Sequence, residues 1–231
     1  MQRQIVLCTL LVLAQGAAVA DISKMNGSIR IGRGEQAGNL QTMNGGITVD
    51  DDARAGDVAT INGEIRLGAR AAAGEVKTVN GGVLLDDEAS AHEVETVNGE
   101  IVMRSSARVA QDVVAVNGAI ELARGATVDG AVENVNGSIE IEGATVGGRV
   151  RTVVGDIEIG AGSRIAGGLL VEEPNSWGGR KDDPPRIVIG PGATVEGTLV
   201  FEHEVALYIS DRATVGTIEG ATAIRFSGDR P

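Results

Sequence analysis

From Met25 onward the chain repeats one pattern of apolar and polar positions: apolar-x-Thr-apolar-Asn-Gly-x-apolar-x-apolar. Val76-Lys77-Thr78-Val79-Asn80-Gly81-Gly82-Val83-Leu84-Leu85 is a clear copy. Asn-Gly pairs begin at Asn26, Asn44, Asn62, Asn80, Asn98, Asn117 and Asn136, in steps of 18, 18, 18, 18, 19 and 19, and a degenerate copy, Val154-Gly155, follows. Positions three and five after each Asn are apolar, as in Ile29 and Ile31, Ile65 and Leu67, or Ile139 and Ile141. Positions nine and eleven are small, as in Ala71 and Ala73 or Ala126 and Val128. A period of two marks short strands with alternate faces. Every offset is copied, not the turn chemistry alone, which is what stacking like on like requires.

The pattern therefore predicts an all-β fold: a single-stranded parallel β-helix, or β-solenoid, of about 18 residues per coil, with three sides around a narrow aliphatic core. An antiparallel meander with Asn-Gly hairpins is the competing reading. It accounts for the turns but not for the copied strand offsets. In the solenoid, the seven asparagines stack as a hydrogen-bonded ladder and the glycine takes a positive φ at a corner. Thr42, Thr60, Thr78, Thr96 and Thr152 are expected to form a second ladder. Met43, Ile61, Val79, Val97, Val116, Val135 and Val153 are expected to point inward, because a long exposed β-branched stripe is an aggregation hazard. Strict alternation would turn them outward, as a lateral interface.

The pattern breaks at residues 172–186, Glu172 to Arg186, a segment with three prolines, the only Trp and mixed charges. It reads as a protruding loop. The repeat resumes at Ile187 and again near Leu207, and residues 219–231 are expected to close the end. The organisation is thus a leader (1–20), an Asn-Gly solenoid (21–171), the loop (172–186) and a continuation with a C-terminal cap (187–231). Ten to eleven rungs give a rod of about 50 Å.

The leader has Arg3, an apolar stretch from Ile5 to Ala14, and the small-x-small ending Ala18-Val19-Ala20 before Asp21. This is the layout of a secretory signal peptide, and the apolar stretch is about half the ~20 residues that span a bilayer. Export to the periplasm or beyond is expected, with no membrane anchor after cleavage. Cys8, the only cysteine, lies inside the apolar stretch, which does not fit a lipid-anchor site. Loss of the leader, whose only charge is Arg3, leaves 19 basic and 32 acidic residues, a net charge of −13. Such a surface repels phosphate backbones and anionic lipid, so nucleic acid is not an expected partner. With aromatics at 2% and 34 glycines, the core must be thin.

The run from Thr42 to Ile159 resembles the adhesin-type β-solenoid domains of secreted and envelope bacterial proteins. The segment from Ile189 to Leu199 resembles bactofilins, polymer-forming β-helix proteins that build cytosolic filaments. The resemblance to the first implies an adhesive or structural envelope module. That to the second implies end-to-end assembly, here outside the cytoplasm, since this chain carries a leader.

Candidate chemistry is sparse. Asp50-Asp51-Asp52 and Asp86-Asp87-Glu88 occupy equal offsets two rungs apart, which raises calcium binding or catalysis, but Arg33, Arg70 and Arg104 fall at neighbouring offsets. An alternating acidic and basic ladder along one corner is the expected arrangement. His92 and His203 lack a partner at ligand spacing and are expected to be solvated; an acyltransferase role for His203 lacks a residue to orient the imidazole. No cofactor, metal site or catalytic residue is expected. Trp177, set among Asn175, Ser176, Gly178 and Gly179, is the candidate contact for a partner protein or glycan, with packing against the solenoid flank as the equal alternative. The expected function is a non-catalytic structural, adhesive or self-assembling module of the cell envelope, associating through its ends or faces. The edge at Met25 has no evident cap. A carbohydrate-active β-helix enzyme is the alternative.

Overall fold

The computed structural model describes residues 19–174 and 184–231. Residues 1–18, with nearly all of the expected leader, and residues 175–183, with Trp177, lie outside the described residues.

Among the described residues every regular element is a β-strand, and all strands pair in parallel. They build three sheets that run the length of a solenoid of about eleven coils. The first sheet has 11 strands, from Ile22–Asn26 to Ile218–Glu219; the second has 11, from Ile29–Ile31 to Ile224–Phe226; the third has 7, from Ser90–Ala91 to Thr214–Val215. Isolated parallel bridges from Gln36 to Arg54, Ala72 and Ser90 carry the third side toward the first coil.

Register follows the repeat. Leu40 pairs with Val58, Val58 with Val76, and Val94 with Val113, one coil per step. The 19-residue coils keep every inward residue over its counterpart. The segment 172–186 is absorbed in the same way: Leu169 pairs with Leu199 and Ile157 with Ile187, each pair thirty residues apart. Ile224–Phe226 pairs with the strand Ala206–Ser210 and adds the last strand of the second sheet.

The core is a set of aliphatic columns. Ile47, Ile65, Ile101, Ile120, Ile139 and Ile157 are fully buried in the second sheet, and Leu40, Val58, Val76 and Val94 in the first. Phe201 is the single aromatic side chain of this core among the described residues. Small residues line the tight corner into the third sheet: Ala53, Ala71, Ala89, Ala107, Ala126, Ala144 and Ala193 are buried. Ser163 takes one place in that column. Its Oγ donates to the Ile141 carbonyl at 2.9 Å and accepts from the Gly143 amide at 2.9 Å, so the hydroxyl is satisfied.

Glycine serves two different corners. Just before the alanine column the backbone is left-handed in coil after coil, at Gly34, Asp52, Arg70, Glu88, Ser106, Gly125, Gly143, Gly162 and Gly192, with φ between 58° and 78°. At the Asn-Gly corner the expected positive φ is found at Gly27, Gly45, Gly118 and Gly137, but it is not common to all seven corners. Gly63, Gly81 and Gly99 lie outside the left-handed region, but a Cβ there would sit 2.0 or 2.1 Å from the carbonyl oxygen of the glycine one coil earlier. Backbones stacked that closely leave no space for a side chain.

Candidate functional site

The outer face of the first sheet carries six of the eight exposed large hydrophobic side chains of the described residues. Within Leu40–Asn44, Leu40 and Thr42 are buried while Gln41, Met43 and Asn44 are exposed, and the same alternation holds in Val58–Asn62. Alternation therefore holds as far as Met43 and Ile61 and breaks at the asparagine, and the expectation that the stripe points inward is corrected. Exposure falls from 72% at Met25 through 45% at Met43, 41% at Ile61, 40% at Val79 and 39% at Val97 to 36% at Val135. Val116 and Val153 are half-buried members of the same column. A shallow groove of about 780 Å³ runs along Met25, Met43, Ile61, Val79, Val97 and Val116.

The reason lies with threonine. The inward hydroxyls find acceptors inside the wall: Thr42 donates to the Gly27 carbonyl, Thr60 to Gly45, Thr78 to Gly63 and Thr96 to Gly81, at 3.0 to 3.1 Å. A buried hydroxyl with a partner costs little. These four threonines thus stack in a column, each bonded to the backbone of the coil below and not to another threonine, whereas the buried Thr152 accepts the Gly155 amide of its own coil at 3.1 Å. Asn134 takes the same position and donates to the Gly118 carbonyl at 2.6 Å. Ala115 occupies it between Thr96 and Asn134 and has no hydroxyl to give.

One side of the stripe is bordered by the asparagines. Each amide donates Nδ2–H to Oδ1 of the previous one: Asn44 to Asn26, Asn62 to Asn44, Asn80 to Asn62, Asn98 to Asn80, Asn117 to Asn98 and Asn136 to Asn117, at 2.9 to 3.2 Å. The other side is a mixed row of Ser23, Gln41, Ala59, Lys77, Glu95, Val114, Glu133 and Arg151, one per coil. Lys77 lies 3.1 Å from Glu75, 3.2 Å from Glu93 and 3.4 Å from Glu95. Its ammonium is held well above the usual lysine range, first by the hydrogen bond to Glu75 and then by Glu93 and Glu95.

The acidic runs join arginines of adjacent coils. Arg30 meets Asp50 at 2.9 Å, Arg33 meets Asp51 at 2.6 Å, Arg70 meets Asp52 at 2.7 Å, and Asp86 receives Arg66 at 2.6 Å and Arg104 at 3.8 Å. The hydrogen bond from Arg70 holds the Asp52 carboxyl below the usual aspartate range. Among the described residues no cluster of three His, Cys, Asp or Glu side chains has metal-binding geometry. On the second sheet, Glu121 is pushed up by partial burial, by a hydrogen bond with Glu100 and by that neighbour's charge.

His92 is exposed. His203 is not a solvated side chain as expected: it is half-buried, with Nε2 3.0 Å from the Val153 carbonyl, a contact that requires the Nε2–H tautomer. Sequence reasoning missed one more column. Asp21 Oδ1 accepts the Asn39 amide at 2.7 Å, Asn39 Oδ1 accepts that of Asp57 at 2.9 Å, and Asp57 Oδ1 accepts that of Glu75 at 3.0 Å. The signal was a spacing of eighteen, obscured by the mixture of Asp and Asn.

Comparison with protein-family models, with curated proteins and with solved structures gave no match.

Proposed function

We propose that the protein is a non-catalytic structural module of the bacterial cell envelope, exported by its leader, which adheres or assembles through the flat outer face of its first sheet. The observation that supports this reading is the exposed stripe from Met25 to Val135 on a wall whose inward threonines and outward asparagines are already committed to neighbouring coils. A rigid wall of that kind offers area and order, not reactive groups. The similarity of the Asn-Gly run to adhesin-type solenoids, and of Ile189–Leu199 to bactofilins, points the same way. Of the carboxylates that invite a polysaccharide-cleaving alternative, Asp50, Asp51, Asp52 and Asp86 are engaged by arginines.

The test is to express the full chain in a Gram-negative host, fractionate the cells, read the N-terminal mass, and follow the purified product by light scattering and negative-stain microscopy across concentration. An extracytoplasmic product beginning near Asp21 that self-associates or sediments with envelope material is the expected result. A cytoplasmic, uncleaved monomer, or release of reducing sugar from polysaccharides, would overturn the reading.

A further inference from the structure

We propose that the stripe on the first sheet is covered by a second copy of this chain, packed face to face with the coils running in opposite directions, so that Met25 meets the partner's Val153 and Val79 meets the partner's Val97. The inference rests on the reading of the protein as an assembling module and names the partner and the register.

The first argument is shape. Side chains along the stripe taper with coil number: Met25, Met43, Ile61, then Val79, Val97, Val116, Val135 and Val153. Two copies aligned coil on coil would set methionine on methionine at one end and valine on valine at the other, leaving a wedge. Running the second copy in the opposite direction places Met25 on the partner's Val153, Met43 on the partner's Val135 and Ile61 on the partner's Val116. Large then meets small in the three outer pairs and valine meets valine only at the centre, so the gap stays more even than in the aligned pairing.

The second argument is charge. A two-fold axis along the strand direction lays the stripe on the stripe and the mixed row on the mixed row. Centred between Val79 and Val97, it sets Lys77 opposite the partner's Glu95, Gln41 opposite the partner's Glu133, and Ser23 opposite the partner's Arg151, and no like charges meet. A shift of half a coil either way places Lys77 on the partner's Lys77 or Glu95 on the partner's Glu95. Charge therefore rejects the two neighbouring registers, and among the rest only this one overlaps all eight coils of the stripe.

The third argument is area. Eight coils at ~4.8 Å and five residues at ~3.3 Å give a face of about 600 Å² on each copy, the lower end of the range for specific interfaces. The outer face of the second sheet is a poorer candidate, because Glu121, Glu140 and Glu158 stand on three successive coils there. The pairing is isologous and closes at two copies.

The experiment is sedimentation velocity on the exported, purified protein, with cysteine cross-linking in a Cys8→Ser background. Dimers that Val79→Glu weakens at least tenfold, without changing the circular dichroism or the melting curve, are expected. Met43→Cys and Val135→Cys lie five coils apart in one copy, too far for an internal disulfide. The double variant should give cross-linked dimers, and neither single variant should. Cross-linking of either single variant would overturn the opposed register, and growth beyond two copies would overturn the closed pairing. If Val79→Glu does not fold, the cysteine variants carry the test alone. A strict monomer that is exported and binds envelope material would sink this inference and leave the proposed function standing; a cytoplasmic monomer would remove both.

Discussion

Thr78 donates its hydroxyl proton to the carbonyl of Gly63 at 3.1 Å, fifteen residues back and one coil below, from a position only 4% exposed. The bond ties the inner wall of one coil to the Asn-Gly corner of the one before it. Thr78→Val keeps the shape and leaves that carbonyl without its side-chain donor, at a cost of about 1.5 kcal/mol. Ala115→Thr is the converse: a hydroxyl placed in register should reach the Gly99 carbonyl and stabilise by about 1 kcal/mol. Urea denaturation of both variants checks the pair; equal and negligible shifts would deny the bond any role.

Gly99 tests the closeness of the stack. A Cβ there would lie 2.0 Å from the Gly81 carbonyl oxygen and 2.4 Å from its carbon. Gly99→Ala must force two coils apart and is expected to destabilise by about 3 kcal/mol, with hydrogen exchange accelerated at the adjoining rungs. A melting temperature within a degree of the parent would show that the corner yields freely.

The left-handed corner gives a stabilising change. Ser106 sits at φ 59°, where the equivalent residues of the next four coils are glycines. An L side chain there costs about 1 kcal/mol or more, part of which glycine returns through the freer unfolded chain. Ser106→Gly is expected to raise stability by a few tenths to about 1 kcal/mol, and Gly125→Ala to lower it by about 1 kcal/mol. Thermal unfolding of the two variants in parallel reads both signs.

Two carboxyls give opposite pH dependences. Glu121 holds its proton more tightly folded than unfolded, so its penalty is present at neutral pH and disappears as pH falls through its raised value toward the ordinary glutamate value. Glu121→Gln should therefore be more stable than the parent by about 0.5 kcal/mol at neutral pH, and the gap should close on mild acidification. Asp52 behaves the other way: its contribution is complete above the ordinary aspartate value and is lost as pH falls through the depressed one. Melting temperature against pH, for the parent, Glu121→Gln and Asp52→Asn, separates the two windows.

Much of the architecture was legible because a solenoid writes its geometry into the sequence repeatedly. Asn26 to Asn136 state the coil length, and Ile65 with Leu67 state which positions face inward. The corner charges were legible for the same reason, since Arg33, Arg70 and Arg104 fall beside acidic offsets. The orientation of Val79 was not legible, because hydrophobicity alone prefers a buried valine to a buried threonine. Only the Gly63 carbonyl, a partner fifteen residues away, reverses that preference. The role of Gly81 was misassigned for a related reason: backbone approach between coils leaves no mark on the local sequence. His203 escaped because its partner, Val153, lies fifty residues earlier.

The pairing of Leu169 with Leu199 across thirty residues has a further use. A wall that resumes its register after twelve extra residues tells its neighbours nothing of what was inserted. The corner after Val171 is therefore a socket, and foreign peptides spliced between Pro174 and Pro184 should be carried at a fixed height along the rod while the rod itself melts unchanged.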